Sequence, residues 1–425
     1  MLVVQILGSL IVLLFISVPI AVAIGLISFG ILWSKGMPII AGVQAAFESL
    51  DSFSLMAVPF FILAGNIMQA GGISQRLVNL ANAFVGWLRG GLGAAAVLTS
   101  MIFATISGSS SATTAAIGST TIPAMEKKGY PLPFATAIVA SSGELGVIIP
   151  PSLPMIIYAL VMNLSITSLF IAGIIPGLVV GGSLIGTVLI VCAIKGYDRI
   201  TPMTPVAWIS GIAVATKDAS LALLMPVIIL GGIYTGAFTP TEAAVVAAFY
   251  ALVISLFVYR QIAVADLGRI FIRSGLASAG ILFIVAFASA FGFALTINQV
   301  PQQIGAWISE VSGSAFTFLL LVNLLLFVVG MFMETLAAII ILAPILGPVA
   351  IHFGIDPIHF GMIVVVNLAV GMVTPPVGVN LFVACEIAGL RIDQLIRPLL
   401  IFLGVLVVDI LIISYVPVLS LALLK

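Results

Sequence analysis

Gly146-Val-Ile-Ile-Pro-Pro-Ser-Leu-Pro154 and Gly371-Met-Val-Thr-Pro-Pro-Val-Gly-Val-Asn380 decide how this chain is read. Each lies inside an apolar run long enough to cross a bilayer, Pro131 to Met162 and Pro357 to Ile387. Two adjacent prolines remove two backbone donors and crowd the preceding turn, so a helix entering either stretch is interrupted there. Freed carbonyls are tolerated at membrane depth only where protein or a polar cavity surrounds them. The two stretches therefore mark helices broken near mid-membrane.

Working outward, each break is preceded by an apolar run about two helices long with a polar interruption at its centre. Gly91 to Met125 carries Ser107-Gly-Ser-Ser-Ser111, and Phe316 to His352 carries Gly330-Met-Phe-Met-Glu-Thr335. Both are expected to be re-entrant hairpins. Displacing the chain on itself by 225 residues lays Pro123 on Pro348, Gly129 on Gly354, Gly146 on Gly371, Pro150 on Pro375 and Pro151 on Pro376. Ser110 then falls on Thr335, so each tip precedes its break by the same distance. Coincident Gly and Pro, the residues that set backbone geometry, indicate an internal repeat. The expected organisation is 1–53, an N-terminal scaffold span and interfacial segment; 54–194, repeat 1, with hairpin 91–125 and broken helix 131–162; 195–274, central scaffold spans; and 275–425, repeat 2, with hairpin 316–352 and broken helix 357–387.

Composition fixes the class. The chain has 425 residues, 62% hydrophobic and 7% charged, with mean hydropathy +1.38, where a soluble domain carries about 25% charged residues. The runs are continuously apolar, so the fold is an all-α polytopic membrane protein and not a barrel of alternating strands. Its solvent is the lipid bilayer. A formal charge of zero leaves no basic face for nucleic acid. Cys192 and Cys385 are isolated in apolar runs and read as packing residues. The run Leu2 to Trp33 is too long for a signal-peptide core and reads as a retained span. No soluble domain is expected at either end. Lys35 to Phe53, Thr201 to Asp218 and Ile262 to Arg273 read as interfacial segments. No HExxH, GxSxG or GxxxxGK[ST] motif supports an enzyme or a nucleotide-driven pump.

Lys and Arg set orientation, because they are retained on the cytoplasmic side. Arg76, Arg89, Lys127 and Lys128 flank the first hairpin, whereas no Lys or Arg occurs between Arg273 and Arg391, the interval holding the second. Following the spans from these anchors places Lys195, Arg199, Lys217, Arg260, Arg269, Arg273, Arg391 and Arg397 inside as well, and Lys35 and Lys425 outside. Five crossings separate the starts of the two repeats, so they are inverted. Inverted repeats with interrupted helices are the plan of a secondary transporter, the site lying near the midplane.

Bare sodium needs oxygens that replace its hydration shell. Hydroxyls are dense between Thr105 and Thr121, and the breaks free carbonyls. Two sodium sites are expected: Ser107, Ser109 and Ser110 with Gly146 and Ile149, and Gly330 and Thr335 with Gly371 and Thr374. Small residues at these places also serve close helix packing. An anion would be met by four half-helix N-termini, near Ser110, Ser152, Thr335 and Val377, in place of a cationic side chain. Ser111, Pro151, Ser152, Thr335 and Asn380 are the substrate candidates. Glu334, at the tip, is a site or network residue. Glu144 is placed to satisfy backbone freed by the first break. Glu242, after Thr239-Pro-Thr241, starts a helix. Asp409 has no evident role, and His352 and His359 lack a third ligand for a metal. A passive channel, or a permease of an ATP-driven importer, is the alternative.

Gly231-Gly-Ile-Tyr-Thr-Gly-Ala-Phe-Thr-Pro-Thr-Glu-Ala-Ala244, together with Ile148-Ile-Pro-Pro-Ser-Leu-Pro154 and Gly371-Met-Val-Thr-Pro-Pro-Val-Gly-Val-Asn380, resembles the large membrane subunit of tripartite ATP-independent periplasmic (TRAP) transporters over essentially the whole chain. The resemblance implies sodium-driven import of an organic acid by an elevator movement, in a bacterial inner membrane. It implies two partners, a small four-helix membrane subunit, expected here as a separate polypeptide, and a periplasmic substrate-binding protein. Sialic acid and C4-dicarboxylates are the substrate classes it brings forward, with sialic acid preferred.

Overall fold

The computed structural model describes residues 8–9, 12–13, 16, 18–198, 204–300, 303 and 313–424. Most of the run from Leu2 to Ser17, Arg199, the start of the Thr201 connector and Lys425 lie outside them. Among the described residues all regular structure is helical, and eight helices are long and apolar enough to cross a membrane.

The first half opens with α1 (Ile20–Ser34), α2 (Ile39–Leu50), α3 (Ala57–Ala70) and α4 (Ile73–Val85). Then come the hairpin α5 (Gly91–Ser107) and α6 (Ser110–Lys127), and the interrupted helix α7 (Leu132–Gly143), α8 (Leu145–Ile148) and α9 (Leu153–Val161). The two limbs of that helix are bent by 40°. The long α10 (Ile166–Lys195) closes the half, and α11 (Pro205–Tyr234) and α12 (Pro240–Val253) lead to the second. There α13 (Val264–Ile297) precedes the hairpin α14 (Ala315–Phe332) and α15 (Thr335–His352), the interrupted helix α16 (Pro357–Gly371) and α17 (Val379–Ala388), and α18 (Ile392–Tyr415).

Helix starts follow local chemistry. Ser109, Ser152, Ser165, Thr204 and Ser314 each cap a helix with a side-chain oxygen, and Asp356 accepts from the Ile358 and His359 amides. Thr239 and Glu242 form a reciprocal capping box, which realises the expected role of Glu242. The Thr204 to Asp218 and Val264 to Arg273 stretches run without interruption into the rest of α11 and α13, 30 and 34 residues long. No proline falls between Val206 and Met225, or between Ala265 and Val300, so polarity alone ends neither helix.

Packing in lipid rests on close fit, since lipid chains are as apolar as leucine. Gly173, Gly177 and Gly181 form a stripe down α10. A Cβ added there would meet Met155 at 2.6 Å, Ile149 at 2.5 Å and Met101 at 2.5 Å respectively, so each glycine seats one large side chain. The two halves exchange helices reciprocally. The second hairpin arm α6 packs on α17, and its counterpart α15 packs on α9; α18 packs on α7, and α10 on α16. The same exchange continues outside the core, where α1 lies on α13 and α12 on α3.

Candidate functional site

Each hairpin tip is tied to the half-helix that follows its break. The Leu153 amide donates to the Gly108 carbonyl at 3.3 Å, and the Gly378 amide to the Met331 carbonyl at 3.3 Å. Gly108 and Gly378 both have left-handed backbones, φ +59° and +57°, which glycine adopts without strain. Because Gly378 takes this conformation as N-cap, the last half-helix begins at Val379, not near Val377. Both double prolines contain a cis peptide bond.

The first tip is closed by its own hydroxyls. Ser107 Oγ lies 2.7 Å from Thr113 Oγ1, and Thr113 Oγ1 donates to the Ser109 carbonyl at 2.8 Å. Ser109 Oγ is 3.3 Å from Ser111 Oγ, and Thr114 Oγ1 donates to the Ser110 carbonyl at 2.9 Å. Folding of the hydroxyls onto carbonyls of the preceding turn is what lets a Ser/Thr-rich run stay helical among apolar neighbours. Gly146 abuts this tip so closely that an added Cβ would stand 2.4 Å from the Ser109 carbonyl oxygen. The expected grouping of Ser107, Ser109 and Gly146 is therefore a spatial one. Ile149 is extended and seats its side chain on Gly177. Ser152 spends its hydroxyl inside the break, donating to the Val147 carbonyl at 2.6 Å and accepting from the Met155 amide. The Pro151 carbonyl faces Gly108, 3.1 Å from where its Cβ would stand.

At the second tip Gly330 meets Gly371 backbone to backbone, with a Cβ on Gly371 only 2.5 Å from Gly330 Cα. Thr374 Oγ1 donates to the Val370 carbonyl at 2.8 Å. Thr335 and Ser110, assigned to separate sites from the sequence, are brought together: Thr335 Oγ1 lies 2.9 Å and Ser110 Oγ 3.6 Å from the sulfur of Met372. Sequence reasoning passed over Met372, since a methionine inside an apolar run reads as core filling. The adjoining Asn380 is fully buried. Its amide N–H donates to the Met372 carbonyl at 3.2 Å, while neither side-chain amide atom has a partner. A buried unpaired amide is costly, which points to a ligand role. Glu334 occupies the N-cap position of α15 and is exposed. Glu144 does not satisfy the break: it is fully buried and neither oxygen accepts a hydrogen bond. Ser142 and Gly143 turn the opposite face of the helix to the hairpin, directing residue 144 away from it.

The tips and breaks together present hydroxyls, carbonyls and helix N-termini, a set suited to hard cations and anions and lacking any nucleophile–base pair. Helical spans organised around two such interruptions define a polytopic membrane transport protein. The profile described as "Tripartite ATP-independent periplasmic transporter, DctM component" matches residues 7–419, and the chain belongs to this family of TRAP large membrane subunits. It is 46% identical over 377 residues to the C4-dicarboxylate TRAP transporter large permease protein DctM of Pseudomonas aeruginosa, covering 89% of this chain and 87% of that one. Identity to the isethionate TRAP transporter permease protein DctMQ of Oleidesulfovibrio alaskensis is 44%, over 95% of this chain and 63% of that longer protein. The sialic acid TRAP transporter large permease protein SiaM of Vibrio cholerae is 37% identical, with 84% and 83% covered. The crystal structure of the YdaH transporter of Alcanivorax borkumensis has the same fold, with TM-score 0.64 at 16% identity and 88% and 87% of the chains covered.

Proposed function

We propose that this chain is the translocating subunit of a sodium-coupled importer of an organic acid anion. Its two partners in this reading are a small four-helix membrane subunit and a periplasmic binding protein that delivers the substrate, and its location is the bacterial inner membrane. The observation that carries the reading is the joining of both tips to both breaks, through the Leu153–Gly108 and Gly378–Met331 bonds and through Met372 between Ser110 and Thr335. Sodium bound at either tip completes the oxygen cage that the hydroxyls and freed carbonyls begin. The N-termini of α6, α9, α15 and α17 then face the substrate carboxylate, with the Asn380 amide as a direct donor. The repeats are inverted, extend to α1 and α12, and carry the tips across the membrane as an elevator.

Relatives named for C4-dicarboxylates are 40–46% identical, one named for isethionate 44% and one named for sialic acid 37%, so the substrate preference turns from sialic acid toward small organic acids such as C4-dicarboxylates. The potential supplies roughly 2.3 kcal/mol per charge per 100 mV, and each tenfold accumulation costs about 1.4 kcal/mol. Two sodium ions moved with a monoanion carry one net positive charge, enough for more than tenfold uptake from the potential alone, whereas with a C4-dicarboxylate dianion the charges cancel and the sodium gradient is the drive. Uptake into proteoliposomes containing the complete complex tests the reading. Sodium is expected to drive accumulation and potassium to give none; equal uptake in both defeats it, and an ATP requirement favours the ATP-driven permease instead.

A further inference from the structure

Behind the first break lies a second group of oxygens that the tips do not use. Asp409 lies on α18, which packs on α7, the helix that ends at Gly143 just before Glu144, and Ser183 of α10 donates to Asp409 Oδ2. Both carboxylates are buried. Ser142 meets Ser100 of α5, and Gly143 abuts Thr114 of α6. Phe134 of α7 packs on Phe402 of α18, ring centroids 5.8 Å apart, and Ser141, two turns on, shares that face with Glu144 one turn beyond it. Ser141 is fully buried on that face and its hydroxyl has no partner.

The segments that form this cluster supply no cationic side chain. No Lys or Arg occurs between Lys128 and Lys195 or between Arg397 and Lys425, the stretches that carry all four side chains. Two carboxyl groups enclosed in an apolar interior persist either as neutral acids or against a bound cation. Glu144, Asp409, Ser141 and Ser183 offer only oxygen, the donor type that hard cations take. We propose that these four side chains form a monovalent-cation site, filled by sodium and separate from the hairpin tips. It stands on the all-oxygen, unpartnered lining of this cluster and does not require the tips to bind sodium.

Equilibrium binding of radioactive sodium to the purified membrane complex in nanodiscs tests it, as sodium titrations at several fixed pH values with choline as the replacing cation. Glu144→Gln and Asp409→Asn are each expected to bind one sodium ion fewer per chain than the parent, while Ser110→Ala with Thr335→Ala retains that ion. Should the carboxylate variants fail to fold, Ser141→Ala with Ser183→Ala carries the test, with an expected severalfold loss of sodium affinity. Unchanged stoichiometry and affinity in every folded variant of the cluster would overturn the proposal. So would occupancy that follows pH and ignores sodium, because a proton then fills the place. Loss of sodium from the tip variant with this ion kept is the expected separation; an unaffected tip variant counts against the tip sites alone.

Discussion

The two hairpin-and-break units share a backbone and differ in chemistry. Gly and Pro coincide at the 225-residue displacement, and both units tie the half-helix start to the tip by one amide–carbonyl bond. Side chains diverge at the same places. Ser107, Ser109, Ser111, Thr113 and Thr114 of the first unit correspond to Phe332, Glu334, Leu336, Ala338 and Ile339 of the second. Ser141 and Glu144 correspond to Val366 and Ala369, so the buried acid also belongs to one unit alone. Gly and Pro determine where the chain turns and where carbonyls are released. The neighbouring side chains decide what those carbonyls hold. The first unit brings its own hydroxyls, whereas the second must rely on main chain, Thr335 and Thr374.

The largest effect is expected where the units are most alike. Gly371→Ala drives a methyl group into the Gly330 backbone, and Gly146→Ala drives one into the Ser109 carbonyl. Neither obstacle is a flexible side-chain end, so each substitution should cost about 1–3 kcal/mol or more, read as a lowered melting temperature in detergent with uptake lost. Tolerance of alanine at one position but not the other would break the structural equivalence of the units.

A smaller and asymmetric effect tests the chemical difference. Ser107→Ala with Thr113→Val removes the bonded hydroxyl pair of the first tip. It is expected to raise the sodium concentration for half-maximal uptake about tenfold, equivalent to about 1.4 kcal/mol. Thr374→Val in the second unit removes one hydroxyl already donated to the Val370 carbonyl. Its expected shift is roughly fivefold at most, since a typical hydrogen bond contributes about 1 kcal/mol or less. Equal shifts would show that both units bind through the same kind of ligand.

The backbone plan was legible because Gly and Pro act locally: the helix boundaries at Ser109, Ser152 and Thr335 follow from residues within a turn of them. Facing was not legible. Glu144 lies close to the first break in sequence, but Ser142 and Gly143 claim the hairpin and neither Glu144 oxygen accepts a hydrogen bond from the freed backbone. That outcome depends on where α5 and α6 pack. The packing of α6 on α17 and of α15 on α9 joins segments more than 150 residues apart, and no local pattern carries it. The lengths of α11 and α13 were not legible for a related reason. Charge suggests an interface, but a helix continues until something stops it.

The smallest expected effect concerns Met372, where the two units touch. Its sulfur lies within reach of both Ser110 and Thr335, so the hydroxyls of the two tips share one acceptor. A sulfur acceptor is weak, yet it makes the position of each tip depend on the other. In the parent, Ser110→Ala and Thr335→Ala should therefore combine non-additively in sodium activation, with a coupling of about 0.5–1 kcal/mol, at the low end for residues in one network. Met372→Leu conserves side-chain size and should cost less than about 1.5 kcal/mol of stability, but it removes the shared acceptor. On that background the same two substitutions should become additive. A coupling that survives in Met372→Leu would mean that the tips communicate through the half-helices, by the Leu153–Gly108 and Gly378–Met331 bonds, and not across the sulfur.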